Sequence, residues 1–389
     1  MPPDSAPLIV FADDWGRHPS SCQHLIRHLL PHRAVTWVNT IGTRPPRLDW
    51  ETVSRGFGKL KQWVLPRRER KSSTPEAHAG PTVLNPKMWP SFASRFGRGV
   101  NRRLLARALR PIADTGIAPT IVTTLPLVAD LVGRVRAARW VYYCVDDFSV
   151  WPGLDGRTMR TMEAELVAKV DVVVAVGGTL QAHLAALGKP SHLLTHGVDL
   201  DFWRSPPTND NPVSLASLAG VPGPLVVFWG VIDRRMDTGF VRHLGEAMSE
   251  GTILLVGPQQ DPDPELLRCP RVRTLPAVPY EDLPALASRT AVFIAPYADL
   301  PVTRAMQPLK FKEYIATGKP AVVRRLPATE EWADCADVVQ TPGEFTAAVL
   351  ERLRHGVPEA QRKARKRLET EGWAAKAQQF ERWIDGATA

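Results

Sequence analysis

Short apolar runs alternate with longer segments of mixed polarity along this chain. The run from Leu8 to Ala12 is followed by a polar loop over residues 13–21 and by a segment from Cys22 to Leu30 that predicts a helix. Because strands that alternate with helices form parallel sheets, the pattern predicts an α/β domain with ligands at the carboxyl ends of its strands. The other elements predicted in this half are strands over 34–39, 120–124, 140–144, 172–176 and 192–194 and a helix over 158–169.

A second α/β series follows a segment rich in Pro, Asn, Asp and Ser. The chain of 389 residues is too long for one ordinary core, so we expect two Rossmann-like domains over residues 1–200 and 223–372, a connection over 201–222 and a final helix in 373–389. The strands predicted in the second series are 225–229, 252–256, 272–275, 291–295 and 321–324, and the final helices are 345–354, 358–370 and 374–385.

The segment from Gln307 to Val323 is the most informative one. It predicts a loop, a short helix that ends at Gly318 and a buried strand, with Lys310 near the helix start and Glu313 one turn further. A helix N-terminus offers unpaired N–H groups and the positive end of the helix dipole, and a lysine beside it adds a charge for phosphate oxygens. Glu313 can accept both hydroxyls of a ribose. The structural alternative is an ordinary ion pair on a solvated helix face.

This segment resembles the Pro-Leu-Lys-x-x-Glu-Tyr-x-Ala-x-Gly-Lys-Pro motif of glycosyltransferases of the GT-B class, in particular its families 1 and 4. The resemblance implies two Rossmann-like, doubly wound domains that face a cleft, with the last helix crossing back to the first domain. It also implies that Gln307, Leu309, Lys310 and Glu313 bind a nucleotide-diphosphate sugar. Retaining members of one large GT-B family carry a glutamate where this chain has Ala305, which favours inversion here and leaves retention by a variant site as the alternative.

Two adjacent carboxylates, Asp146 and Asp147, follow the strand predicted over 140–144. A carboxylate that faces the cleft can remove the proton of an attacking acceptor hydroxyl, and burial or a neighbouring like charge would raise its pKa towards neutrality. One of the pair can instead cap the following turn. The segment from Val141 to Ser149 resembles the glucuronosyltransferase of xanthan assembly, which implies that Asp146 is the base and that Asp147 caps the turn or orients the acceptor.

The loop after the first strand holds a second candidate base, His18, where some inverting GT-B enzymes keep one. A single loop histidine is more often a surface residue than a catalyst. Asp13 and Asp14 of the same loop are candidates for binding acceptor hydroxyls.

The strand over 225–229 leads into Gly230, Arg234 and Arg235. A glycine lets the backbone approach a ligand closely, and the arginines can neutralise a diphosphate, although solvated surface arginines would give the same pattern. Tyr297, after the strand over 291–295, resembles a tyrosine that lies near the donor in this class. His196 to Asp199 resembles the interdomain hinge motif of the class.

Several other classes of protein are disfavoured because the sequence lacks their motifs. The four cysteines have no metal-ligand spacing, no Asp-x-Asp motif is present, and the sequence predicts neither a metal site nor a cofactor. No Gly-x-Gly-x-x-Gly follows a strand, which disfavours a dehydrogenase. No apolar run reaches membrane-spanning length and the N-terminus lacks signal-peptide features, so we expect a cytoplasmic protein.

The net charge of +9 is concentrated between Arg55 and Arg110. Large apolar side chains are interleaved with the cations, a mixture that favours an anionic membrane surface; a solvated basic face whose aromatic rings reach the core is the alternative. The cations include Lys59, Lys61, Arg67, Arg68, Arg70, Lys71, Lys87, Arg95, Arg98, Arg102, Arg103 and Arg107, and the apolar side chains are Trp63, Val64, Leu65, Met88, Trp89, Phe92 and Phe96.

The sequence therefore predicts an inverting glycosyltransferase that moves a sugar from a nucleotide-diphosphate donor to a glycan or lipid-linked acceptor in surface polysaccharide synthesis. A nucleotide-sugar epimerase on the same fold is the first alternative. A basic nucleic-acid-binding protein is a weaker one, because the chain offers neither a recognition helix nor a set of stacking aromatic residues.

Overall fold

The first of two sheets contains seven parallel strands in the order β3-β2-β1-β4-β5-β6-β7. The structure is a computed structural model that describes residues 6–17, 19–40, 80–114, 116–205 and 218–386. The central strand β1 is buried along its whole length and pairs with β2 and β4. The strands are β1 (Leu8–Ala12), β2 (Val35–Asn39), β3 (Thr82–Leu84), β4 (Thr120–Thr123), β5 (Arg139–Cys144), β6 (Val172–Ala175) and β7 (His192–Leu193).

Helices pack on both faces of this sheet, as expected for a doubly wound domain. Helix α1 begins where the Ser20 hydroxyl accepts the Gln23 N–H at 3.3 Å, and it buries Leu25, Ile26 and Leu29 against the strands. The helices of this domain are α1 (Ser21–Leu29), α2 (Arg95–Ala113), α3 (Gly156–Val167) and α4 (Gly178–Ala186).

The second sheet has six parallel strands in the order β12-β10-β8-β13-β14-β15. Its strands are β8 (Leu225–Trp229), β10 (Thr252–Val256), β12 (Val272–Leu275), β13 (Thr290–Ala295), β14 (Ala321–Arg324) and β15 (Asp337–Val339), and a separate two-stranded sheet joins β9 (Ile232–Asp233) to β11 (Gln259–Gln260). The helices are α5 (Leu200–Arg204), α6 (Thr238–Ala247), α7 (Leu283–Arg289), α8 (Pro301–Ala305), α9 (Leu309–Ala316), α10 (Pro327–Glu330), α11 (Pro342–His355), α12 (Glu359–Ala364) and α13 (Trp373–Asp385).

The chain crosses between the domains twice, and the two crossing segments lie side by side. Val198 forms a parallel bridge with Gly372, and its N–H donates to the Glu371 carbonyl at 2.9 Å. The buried Lys312 of α9 ties both crossings together, because its ammonium donates to the His196 carbonyl at 2.6 Å and to the Glu371 carboxylate at 2.5 Å.

Helix α13 then returns to the first domain, where Trp373, Phe380 and Trp383 lie in the core. The buried Arg33 holds the far end of this helix through Glu381 and Asp385. The structure thus confirms two doubly wound domains and a last helix that crosses back to the first one.

The structure adds elements that the apolar pattern does not predict. Strands β9, β11 and β15 are two or three residues long and their side chains are mostly partly exposed, so they lack an apolar run. The helix predicted over 358–370 is α12 followed by a 3₁₀ segment, Arg365–Thr370. Among the helices of the described residues, none is long and apolar enough to cross a bilayer.

Candidate active site

Asp146 lies two residues beyond the end of β5, at the carboxyl edge of the first sheet. Burial raises the pKa of its carboxyl group from 3.8 to about 7, and repulsion from Asp13 and Asp147 acts in the same direction. The positive charge of Arg235, from the second domain, opposes this rise in pKa. A carboxyl group with such a pKa exchanges its proton near neutral pH, as a general base must.

Asp147 caps the turn that follows. Its Oδ1 accepts the Ser149 N–H at 2.9 Å, which is the role that the sequence leaves open for one of the two carboxylates. The turn keeps the adjacent Asp146 at the edge of the sheet.

Lys310 occupies the second position of α9, in the other domain. Its ammonium donates to the Tyr297 hydroxyl at 2.8 Å and lies 4.6 Å from the ring centroid of Phe228. Gly230, with φ of +136°, leaves the space that this ammonium fills, because a Cβ there would collide with the Lys310 Nζ. The Tyr297 hydroxyl therefore holds the lysine in place. Because Tyr297 is buried, its ring is not exposed.

Glu313 lies one turn further along α9. The Trp229 indole N–H donates to Oε2 at 3.3 Å, and the carboxylate also interacts with the hydroxyl of Tyr280. Burial raises the pKa of Glu313 to about 7, while Trp229 and the charge of Lys310 lower it. Lys310 and Glu313 are therefore engaged with different neighbours and are not the solvated ion pair of the alternative interpretation.

Arg235 connects the two halves of the site. Its buried guanidinium pairs with Asp233 at 2.8 Å and lies 4.6 Å from the ring centroid of Trp151, which follows the Asp146 loop in the first domain. Burial opposes the charge of Arg235, but the hydrogen bond to Asp233 and the nearby Tyr297 and Asp146 outweigh burial and raise the pKa of the guanidinium. The structure therefore joins Asp146, Arg235, Tyr297 and Lys310 across the space between the domains.

Arg234 does not join this group. Its side chain is about half exposed and points towards Asp261, with a closest N to O distance of 3.6 Å. The sequence offers the two arginines equally, and the turn after the short strand β9 directs their side chains differently.

The loop before α9 packs against the first domain. The Gln307 side chain lies beside Gly177 at the start of α4, while Ala305 and Leu309 pack on the first core. The position that holds a glutamate in retaining relatives is therefore a small apolar contact between the domains in this chain.

Of the acceptor residues predicted in the loop after β1, Asp13 is near enough to Asp146 to raise the pKa of that carboxyl group. Asp14 of the same loop is partly exposed, and its carboxylate is 3.5 Å from the Arg17 guanidinium. His18, the second candidate base, lies outside the described residues, so it stays a prediction.

Three residues of this site were not predicted from the sequence. Trp229 and Tyr280 flank Glu313, and Trp151 lies under Arg235. A tryptophan at the very end of a buried strand, next to Gly230, is a signal that could have indicated Trp229. Tyr280 and Trp151 come from loops, and only the folded arrangement brings them to the site.

Solved structures with the same architecture include several glycosyltransferases. The chain aligns with HepE of Anabaena in complex with UDP and glucose at a TM-score of 0.67, with 13% identity over 98% of this chain and 100% of that one. It aligns with the sucrose-phosphate synthase of Thermosynechococcus elongatus at a TM-score of 0.69, with 16% identity over 98% of each chain. The chain has the GT-B fold.

A curated relative points in the same direction. The chain is 27% identical over 184 residues to the putative teichuronic acid biosynthesis glycosyltransferase TuaH of Bacillus subtilis (strain 168). The match covers 45% of each protein, so the chain spans less than half of that relative's length. No family model matches the chain.

Proposed function

We propose that this GT-B protein is a glycosyltransferase that moves a sugar from a nucleotide-diphosphate donor to a hydroxyl of a glycan or lipid-linked acceptor. One observation carries the proposal: a carboxyl group with a pKa near neutrality and a lysine at a helix start lie on opposite sides of one interdomain site, with Arg235 between them. Assembly of surface polysaccharide is the proposed setting, since the curated relative is named for teichuronic acid synthesis.

The donor site would be built on α9. Lys310, the first N–H groups of the helix and Arg235 would hold the diphosphate, since α9 has no side-chain cap. Glu313 would accept the ribose hydroxyls, with the Trp229 indole keeping the carboxylate in place. A uridine donor is the first one to test, because HepE is described in complex with UDP and with UDP-glucose.

Asp146 would act as the base of a single displacement. It takes the proton of the acceptor hydroxyl as that oxygen forms a bond to the anomeric carbon, while the bond from this carbon to the phosphate oxygen breaks and its electron pair leaves with the nucleoside diphosphate. Lys310 and Arg235 stabilise the charge that develops on the leaving diphosphate. This step inverts the configuration of the sugar, and Ala305 provides no carboxylate at the position used by retaining relatives.

The acceptor would reach the site from a membrane surface. Trp89 and Phe96 are 41% and 72% exposed, and their rings meet edge to face at 6.3 Å. Met88 and Phe92 instead pack on the first core, so only part of the basic-aromatic segment faces outward. The exposed cations of the same segment are Lys87, Arg95, Arg103, Arg107 and Arg110. Residues 55–79 of the segment lie outside the described part of the chain.

A donor screen tests the proposal. The melting temperature is measured with UDP-, GDP- and dTDP-sugars for the unmodified protein and for Lys310→Ala and Glu313→Ala. We expect one nucleotide class to raise the melting temperature, and both variants to lose most of this rise. If no nucleotide sugar stabilises the unmodified protein, the proposed donor site is wrong.

Turnover of the stabilising donor then separates two activities. A transferase consumes it only when an acceptor is added, whereas an epimerase on the same fold would convert the nucleotide sugar alone. The anomeric configuration of the product, read by NMR, tests inversion.

A further inference from the structure

A buried polar cluster lies beneath the Asp146 loop. Glu163 of α3 is only 3% exposed, and its Oε1 accepts the Tyr142 hydroxyl of β5 at 2.6 Å. Its Oε2 lies 2.8 Å from the His183 Nε2 of α4. An almost fully buried carboxylate is costly unless it is paired and hydrogen-bonded, so its place between three elements requires these donors.

The cluster reaches the loop through Cys144, the last residue of β5. Its thiol lies 3.9 Å from the Glu163 Oε1 and 3.8 Å from the backbone oxygen of Asp146, within reach of both acceptors. Asp147 adds its carboxylate at the other side, where it acts on the pKa of His183. The position of Asp146 thus depends on side chains from β5, α3 and α4.

The same three groups, Asp147, Glu163 and His183, have ligand atoms within 4.8 Å of one another. A divalent cation would have to displace hydrogen bonds that are already formed, because both Glu163 oxygens have donors and one Asp147 oxygen caps the Ser149 N–H. The geometry therefore favours protons over a metal ion in this cluster.

We propose that the buried Glu163 and the partly exposed His183 form a positioning pair that holds the Asp146 loop and balances its negative charge. This inference depends on the transfer reaction proposed above. The groups that face His183 are Glu163 and Asp147, which favour its charged form, and Arg160, which opposes it; hydrogen bonding to Glu163 is the largest influence and raises the pKa of His183.

Substituting each member of the pair tests the proposal. Glu163→Gln and His183→Gln are compared with Glu165→Gln, a control on the same helix whose carboxylate pairs with Arg98 instead. We expect kcat to fall about ten-fold or more in both test variants, because small displacements of a catalytic group are costly, while the KM for the donor changes less than about two-fold. The control should retain kcat.

A pH profile separates positioning from loss of folded protein. Asp146 is also faced by Asp13, Asp147 and Arg235. In His183→Gln the charge of Glu163 is no longer balanced, so the acidic limb of the kcat profile should move to higher pH by about half a unit at low salt. In Glu163→Gln, which lets the imidazole become neutral, the limb should stay in place.

Unchanged kcat in both test variants would overturn the inference, as would a fall in kcat that only follows the folded fraction measured by circular dichroism. Activation of the unmodified protein by added Zn²⁺ would also overturn it, in favour of a metal site. Asp146→Asn distinguishes the two proposals: if it keeps full transfer, the proposed function itself has failed. If Asp146→Asn is inactive but the pair variants are normal, only the pair is wrong.

Discussion

Replacing Asp146 by Asn should have opposite effects on activity and on stability. The amide keeps the shape of the side chain but cannot take a proton, so we expect transfer to fall about 10²- to 10⁴-fold, the usual contribution of a general base. Donor binding should be retained, because Asp146 lies across the cleft from Lys310. The free energy of unfolding at pH 8 should rise.

The sign of the stability effect follows from the pKa of Asp146. Its value is about 7 in the folded protein, against 3.8 ordinarily, so between these values the folded state binds a proton that the unfolded state does not. The stabilisation is complete below pH 3.8 and is lost as the pH rises through 7. A shift of about three units corresponds to at most about 4 kcal/mol, and water that reaches the cleft reduces this figure.

The assay is urea unfolding of the unmodified protein and of Asp146→Asn at pH 5 and pH 8, with nucleoside diphosphate release as the measure of activity. The variant should gain stability relative to the unmodified protein between the two pH values. Asp147→Asn is the matched control: its amide oxygen can still accept the Ser149 N–H, and the lost charge should move the acidic limb of activity to lower pH. Full turnover in Asp146→Asn, or no relative gain at pH 8, would refute the assignment of the base.

Three other sets of substitutions test the donor site, the last helix and the proposed membrane surface. Gly230→Ala should weaken donor binding about ten-fold or more by calorimetry, because the added Cβ would displace the Lys310 ammonium. Gly133→Ala, at a positive φ with open space around it, should leave donor binding intact, and equal losses in both variants would contradict the collision. Arg33→Met should lower the free energy of unfolding by about 2 kcal/mol and speed proteolysis of α13; the loss is no larger because Glu381 and Asp385, the partners of Arg33, are partly exposed and stay hydrated. Unchanged proteolysis would show that the aromatic contacts alone hold the helix. Trp89→Ala with Phe96→Ala should reduce co-sedimentation with anionic vesicles and leave soluble-donor binding intact, whereas unchanged sedimentation would contradict the membrane surface.

The order of the elements could be predicted because each buried strand of a parallel sheet is a compact apolar run. Strands β1, β8 and β10 agree with the sequence prediction, and so does the short helix α9 before Gly318. Edge strands such as β15 carry no such run, because they are only partly buried.

Contacts between distant parts of the chain could not be predicted in the same way. The sequence indicates Lys310 and Glu313 as neighbours on one helix, but it does not reveal that Tyr297 holds one and Trp229 the other. It likewise offers Arg234 and Arg235 as equals, and only the fold sends Arg235 towards Asp146. The buried Glu163 looks like any glutamate of an amphipathic helix until the strand beneath it is known.

A crystal structure with a non-hydrolysable UDP-2-fluoro sugar, or with the analogue of whichever donor stabilises the protein, tests the central claim most directly. We expect the diphosphate to lie against Lys310 and the start of α9, the ribose against Glu313, and the anomeric carbon to face Asp146 with room for one acceptor hydroxyl between them. A nucleotide bound elsewhere, or an anomeric carbon turned away from Asp146, would contradict the account.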